Sequence, residues 1–193
     1  MGGVRYEAYN RLAKEIWQWA EERHISLFAS YIASSENTEA DRLSRLVNLD
    51  IEWELHDSFF VVIENVFGRP DIDLFANGSN AKCATFYSWR PEPGAVGVDA
   101  FTMDWSGLNF YAFPPFSLIL KTLAKIRQDE ASGILVVPFW PGQPWFPLFE
   151  SLLINQLVFG PEANLLLSPC RKKIHPQAEH LQLIVGRVSG RPL

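Results

Sequence analysis

The sequence predicts an α/β protein built on a parallel or mixed sheet, and three observations lead there. Asn109 to Phe113 reads as a strand, the apolar stripe from Leu118 to Ile126 as a helix, and Ile134-Leu135-Val136-Val137 as a fully buried strand. Strand, helix and strand in that order, with short connections, form a parallel unit. The composition, 48% hydrophobic and 20% charged over 193 residues, suits a globular chain of one ordinary domain or one small domain with an appendage.

The elements follow in order. Tyr9, Leu12, Ala13, Ile16 and Ala20 recur at helical spacing, with Trp17 and Trp19 beside them. Ile25 to Ile32 reads as a buried strand bounded by Ser34-Ser35. Thr38-Glu39-Ala40-Asp41 fits a capping box that leads a short helix into Leu43 and Leu46. Phe59, Phe60, Ile63 and Phe67 form a helix that Gly68 and Pro70 terminate. Ile72 to Phe75 is a short strand, and Asn77-Gly78-Ser79-Asn80 is a turn. Arg90 to Gly97 holds two prolines and two glycines and is a loop. Ser117 is expected to cap a helix running to about Ala131, with Leu118, Leu120, Leu123, Ala124 and Ile126 on its apolar face and Gly133 ending it. Phe146 to Leu157 reads as another helix and Asn164 to Leu167 as another strand. The expected organisation is a helix/strand segment at 1–47, an α/β domain at 50–169 and a basic tail or linker at 170–193.

Composition narrows the function. The net charge is -5, yet Cys170 to Leu193 carries Arg171, Lys172, Lys173, Arg187 and Arg191 against a single acid, Glu179. The rest is therefore more acidic than the whole, which disfavours strong autonomous binding to phosphate backbones. Cys83 and Cys170 cannot build a disulfide framework. With no signal-like N-terminus and no apolar run near the roughly 20 residues of a membrane span, the expected setting is intracellular, cytoplasm or nucleus, with no membrane partner.

The candidate chemistry lies at strand ends. Phe113-Pro114-Pro115-Phe116 ends a predicted strand, where open parallel sheets bind ligands. The prolines fix the backbone there, and Phe116 could stack on a planar group such as an extruded base. Equally, the prolines could simply stop the strand and leave the aromatics in the core. Asp73 sits on another predicted strand, and Asp99 and Asp104 flank a short apolar stretch before Trp105. Carboxylates at such places accept hydrogen bonds from cofactor hydroxyl or amino groups, or act as caps and turn residues. Phosphate-cradling glycine motifs are missing. Cys170, His175 and His180 are spaced as three possible zinc ligands, one short of a structural site.

Longer strings carry a family resemblance. Ile16 to Arg23, Ala29-Ser30-Tyr31-Ile32 and Glu36-Asn37-Thr38-Glu39-Ala40-Asp41-Arg42-Leu43-Ser44-Arg45 resemble the last part of a retroelement RNase H domain. Asp71 to Ala76, Asn80 to Cys83, Ser88 to Pro91, Val98 to Phe101, Asp104-Trp105 and Ala112 to Ser117 resemble a Dam-like adenine methyltransferase domain, and Pro141 to Phe149 and Asn164 to Pro169 continue the match. Both occur in this order in DIRS-type (tyrosine-recombinase) retrotransposon polyproteins. The resemblance implies an RNase H remnant followed by a Rossmann-like methyltransferase-type sheet, associated with DNA or an RNA–DNA hybrid through a parent polyprotein.

What the resemblance implies for the sites turns on two departures. Asp41 would be the last of four acids that hold magnesium in RNase H; the other three belong to a part this sequence does not contain. Phe113-Pro114-Pro115-Phe116 takes the place of the catalytic Asp/Asn-Pro-Pro-Tyr/Phe motif, whose first residue accepts a hydrogen bond from the exocyclic amine of the base. Phe113 offers no acceptor. Asp73 and Asp99 match positions that contact S-adenosylmethionine. The expectation is a catalytically incomplete, nucleic-acid-associated or scaffolding fragment with no cofactor of its own. Its rivals are an S-adenosylmethionine-dependent adenine DNA methyltransferase using a backbone carbonyl or Asp104 as acceptor, and a host-adopted interaction module without chemistry.

Overall fold

A computed structural model describes residues 7–23, 25, 27, 53–168 and 174–191. The chain divides into two compact units, Met1–Val47 and Asn48–Leu193. In the first, the predicted amphipathic segment is helix α1 (Glu7–Glu21). Arg23 folds back at its end, donating to the Trp19 carbonyl at 3.1 Å with its guanidinium 4.4 Å from the Trp19 ring. The predicted strand at 25–32, apart from Ile25 and Leu27, and the capping box at 38–41 lie outside the described residues, as does Cys170 of the three-ligand spacing. No helix among the described residues is long and apolar enough to cross a membrane.

The second unit is a mixed α/β fold. Its main sheet contains β2 (Ile72–Asp73), β3 (Thr85–Ser88), β4 (Gly97–Val98), β5 (Asn109–Ala112), β6 (Ser132–Pro138), β7 (Leu153–Phe159) and β9 (Leu183–Ser189), in the order β4-β3-β2-β5-β6-β9-β7. The first five strands are parallel to their neighbours, while β9 lies antiparallel between β6 and β7. A separate ribbon pairs β1 (Glu54–Leu55) with β8 (Leu166–Leu167). This is a Rossmann-like sheet of methyltransferase type, as the sequence predicts.

Both faces of the sheet are covered, which is why its central strands read as unbroken apolar runs. Phe110, Ala112, Leu135 and Val137 pack on one face with helices α3 (Ile119–Gln128) and α4 (Phe146–Leu152). Tyr111, Ile134 and Val136 point the other way, toward Phe59, Phe60 and Ile63 of α2 (Asp57–Phe67). Helix α2 starts where the His56 ring accepts from the Ser58 N–H, and it stops at Gly68, whose φ of 82° suits a residue without Cβ.

Several local expectations are corrected. Ser117 does not cap α3: it lies in a 3-10 turn, Phe116–Leu118, and α3 starts without a side-chain cap. Leu120 and Ala124 face solvent, and Thr122 shares the buried face with Ile119, Leu123 and Ile126. Gly133 lies inside β6, where a Cβ would stand about 2.5 Å from the Phe110 ring. The helix predicted to Leu157 ends at Leu152, because Leu153–Phe159 finds a pairing partner in β9. The largest correction is the C-terminus: residues 183–189 are not a tail but a buried strand joining β6 to β7. Its one basic residue, Arg187, donates to Asn109 Oδ1 at 2.7 Å.

β9 buries Leu183, Ile184, Val185 and Val188. At roughly 1.5–3 kcal/mol for each buried aliphatic side chain, the strand contributes as much as the whole net stability of a typical domain, about 5–15 kcal/mol. A chain ending at Gln182 is therefore expected to lose its cooperative thermal transition in circular dichroism; a sharp transition near the full-length midpoint would contradict this.

Candidate active site

The chain runs from β2 to β3 and β4 on one side, then returns past β2 to β5 and β6 on the other. The reversal lies between β2 and β5, and in open α/β sheets the crevice at the strand ends there is where ligands bind. Parallel pairing sets Asp73 level with Tyr111. Two residues further along the chain, Phe113 leaves the end of β5. Asp73 and Phe113, chosen from the sequence at separate strand ends, thus line a single small, open cleft.

Asp73 is the electrostatic centre of this cleft. It is 2% exposed, and its carboxylate accepts from the N–H groups of Phe75 at 3.1 Å and Lys82 at 3.0 Å. Burial outweighs these bonds and the Lys82 charge, pushing its pKa up to about 6. Lys82 turns its ammonium to Asp57 at 2.6 Å and Glu54 at 3.5 Å. The turn at 77–80 is held by its own side chains: Asn77 Oδ1 accepts from the Ser79 N–H at 2.9 Å, and Asn80 Oδ1 from the Asn77 N–H at 2.7 Å. Gly78 N–H donates to Glu92, which tethers the turn to the segment after β3.

Asp99 stands elsewhere. It follows β4, two strands from β2, with φ at 55°, and caps a 3-10 turn by accepting from the Phe101 N–H at 3.1 Å. It is not among the residues lining the cleft. Asp104 is corrected as a possible acceptor. Its carboxylate binds Ser106 at 2.8 Å, and the adjoining Trp105 N–H donates to Asp129, just before β6 begins. That is the N-terminal edge of the parallel strands, opposite Phe113.

Pro114 is buried, Pro115 exposed and Phe116 half-buried. The Phe116 ring meets Trp140 edge-on at 5.2 Å and lies 6.4 Å from Phe113, so aromatic surface continues along the strand ends. Sequence reasoning passed over Glu54, Lys82, Tyr111 and Trp140. Tyr111 had a signal, because a strand's period of two puts it on the same face as Phe113; Glu54 had none, as its ribbon pairs across more than 100 residues of chain. Asp41 lies outside the described residues. Among those described, no three His, Cys, Asp or Glu side chains gather as a metal site.

S-adenosylmethionine can be tested against this donor set. Acids and a lysine stand side by side in the cleft, which suits a zwitterionic amino-acid group, and Trp53, Phe75 and Phe113 add aromatic walls. The buried Tyr111 hydroxyl has no hydrogen-bond partner among the described residues. The residues fit such a group.

The raised Asp73 pKa sets a sign for stability. The folded state holds its proton up to about pH 6 while the unfolded chain releases it near 3.8, so stability falls as pH rises between those values and stays lower above them. The loss amounts to about 3 kcal/mol at neutral pH. Urea unfolding at pH 4 and pH 7 should show this loss in the wild type and most of it absent in Asp73→Asn; equal slopes would refute it.

Comparison with known proteins points to a methyltransferase family. Residues 45–149 match the family DNA N-6-adenine-methyltransferase (Dam), a span that includes β2 to β6, Asp73 and Phe113 to Phe116. A protein of Escherichia coli (strain K12), named "Putative methyltransferase YfdM", is 36% identical over 55 residues, which cover 28% of this chain and 53% of that protein. The chain thus spans about half the length of this curated relative. With more than half of its residues inside the family match, the chain belongs to the Dam family of DNA N-6-adenine methyltransferases.

Proposed function

We propose that this chain is an S-adenosylmethionine-dependent, adenine-directed DNA methyltransferase domain whose transfer step is slowed by Phe113. The observation that carries the reading is the convergence of Asp73, Lys82, Tyr111 and Phe113 in one cleft at the reversal of strand order. Asp73 and Lys82 would hold the cofactor's amino-acid end, and Trp53 and Phe75 its apolar surface. The cofactor would supply an activated methyl group. Phe116, at the lip and braced by Trp140, offers a ring for the target base to stack on.

The acceptor is the weak part. A methyltransferase of this type needs an oxygen to receive the hydrogen bond of the exocyclic amine, freeing the nitrogen lone pair for attack. Phe113 has none in its side chain, and Asp104 is on the other edge of the sheet. The role falls to a main-chain carbonyl at the end of β5. Isothermal calorimetry should show saturable heat with S-adenosylmethionine, and labelled methyl transfer to adenine-containing DNA should be slow. Phe113→Asn should raise that rate roughly 100-fold. No heat in the wild type would overturn the proposal; an unchanged rate in Phe113→Asn would overturn the role given to position 113.

A second reading concerns the parent protein. The family match starts at residue 45, and Met1–Val47 is a compact unit of its own. The resemblance of the segment ending around Asp41 to RNase H is what motivates reading the parent as a DIRS-type retrotransposon polyprotein, in which the methyltransferase domain works beside a reverse transcriptase/RNase H on DNA or an RNA–DNA hybrid. A lone aspartate cannot hold two magnesium ions about 4 Å apart. This chain should therefore leave an RNA–DNA hybrid intact in magnesium; cleavage abolished by Asp41→Asn would sink the remnant reading.

A further inference from the structure

Tyr111 is 2% exposed, lines the cleft level with Asp73, and its hydroxyl makes no hydrogen bond among the described residues. Packing does not explain that oxygen. The ring already meets Phe60 edge-on at 5.1 Å, and a phenylalanine would make the same contact without burying a polar atom. Native folds rarely leave such an atom unpaired, because it loses its water bonds and gains none in return. Its position is informative too. Asp73 and Glu54, both acids, line the same cleft as the hydroxyl, and so does Lys82. A cation is attracted to the acids, and an anion attached to that cation finds the lysine nearby. An α-ammonium with its own carboxylate presents both charges at one end of a molecule.

We propose that the Tyr111 hydroxyl is a ligand-binding group, accepting a hydrogen bond from the α-ammonium at the amino-acid end of the cofactor. This rests on the cofactor reading above and gives Tyr111, which that reading leaves without a contact to the cofactor, a role of its own. It also assigns Tyr111 a specificity role: ligands sharing the adenosine part but lacking the amino acid gain nothing from the hydroxyl.

Calorimetry on wild type and Tyr111→Phe, with three probes, tests it. S-adenosylmethionine and S-adenosylhomocysteine carry the amino-acid end, and 5′-methylthioadenosine lacks it. Tyr111→Phe should weaken the first two about tenfold or more and leave the third unchanged. Without ligand its melting temperature should equal or exceed that of the wild type, since an unpaired buried hydroxyl has been removed. Undiminished S-adenosylmethionine binding in Tyr111→Phe, or equal losses for all three probes, would overturn the role of Tyr111 and leave the cofactor reading standing. A wild type that binds none of the three would overturn both.

Discussion

The parallel pairing of β2 with β5 is the constraint on which the cleft depends. It puts a residue from position 73 level with one from position 111, across a crossover of more than 30 residues that itself forms β3 and β4. Once these strands pair, the chain leaving β5 must pass Asp73. The rigid Pro114-Pro115 pair then holds Phe113 and Phe116 at the strand ends. Loss of this pairing would leave the individual residues present and the site gone.

Burial at this junction has two consequences that pull against each other. A carboxylate without solvent weakens the fold at neutral pH, yet the two main-chain N–H groups bound to Asp73 fix the loop that forms one wall of the cleft. Stability given up at functional sites is a common pattern, because a group already in place need not be ordered when the ligand arrives. Cys83, nearby, shows burial without such a pattern: its thiol is pushed up to about 12 and its sulfur donates only to the Pro70 carbonyl at 3.7 Å. It is a core residue.

In the proposed function, the phenyl ring at position 113 separates binding from chemistry. The cleft keeps charged and aromatic groups suited to a zwitterionic, purine-bearing cofactor, while the residue that would stand closest to the transferred methyl's acceptor is a hydrocarbon ring. Phe113 is half-buried and packs against the core cluster that contains Tyr111.

The sequence by itself determined the α/β class, helices α1 and α2, the strand ends at Asp73 and Phe113, and the methyltransferase character, because all of these are written in local periodicity, turn chemistry and short strings. It misread 146–157 and 183–189, where an apolar run and a few arginines look alike in helix, strand or tail until a partner strand is known. Only the tertiary structure decided that Leu183–Ser189 is central, that Leu153–Phe159 is its neighbour, and that Asp104 and Phe113 lie on opposite edges. It also brought Glu54 and Lys82 together at the cleft and left Asp99 outside it. The physical reason is that strand pairing and buried charge are satisfied between residues distant in the chain, and no local pattern records which distant partner wins.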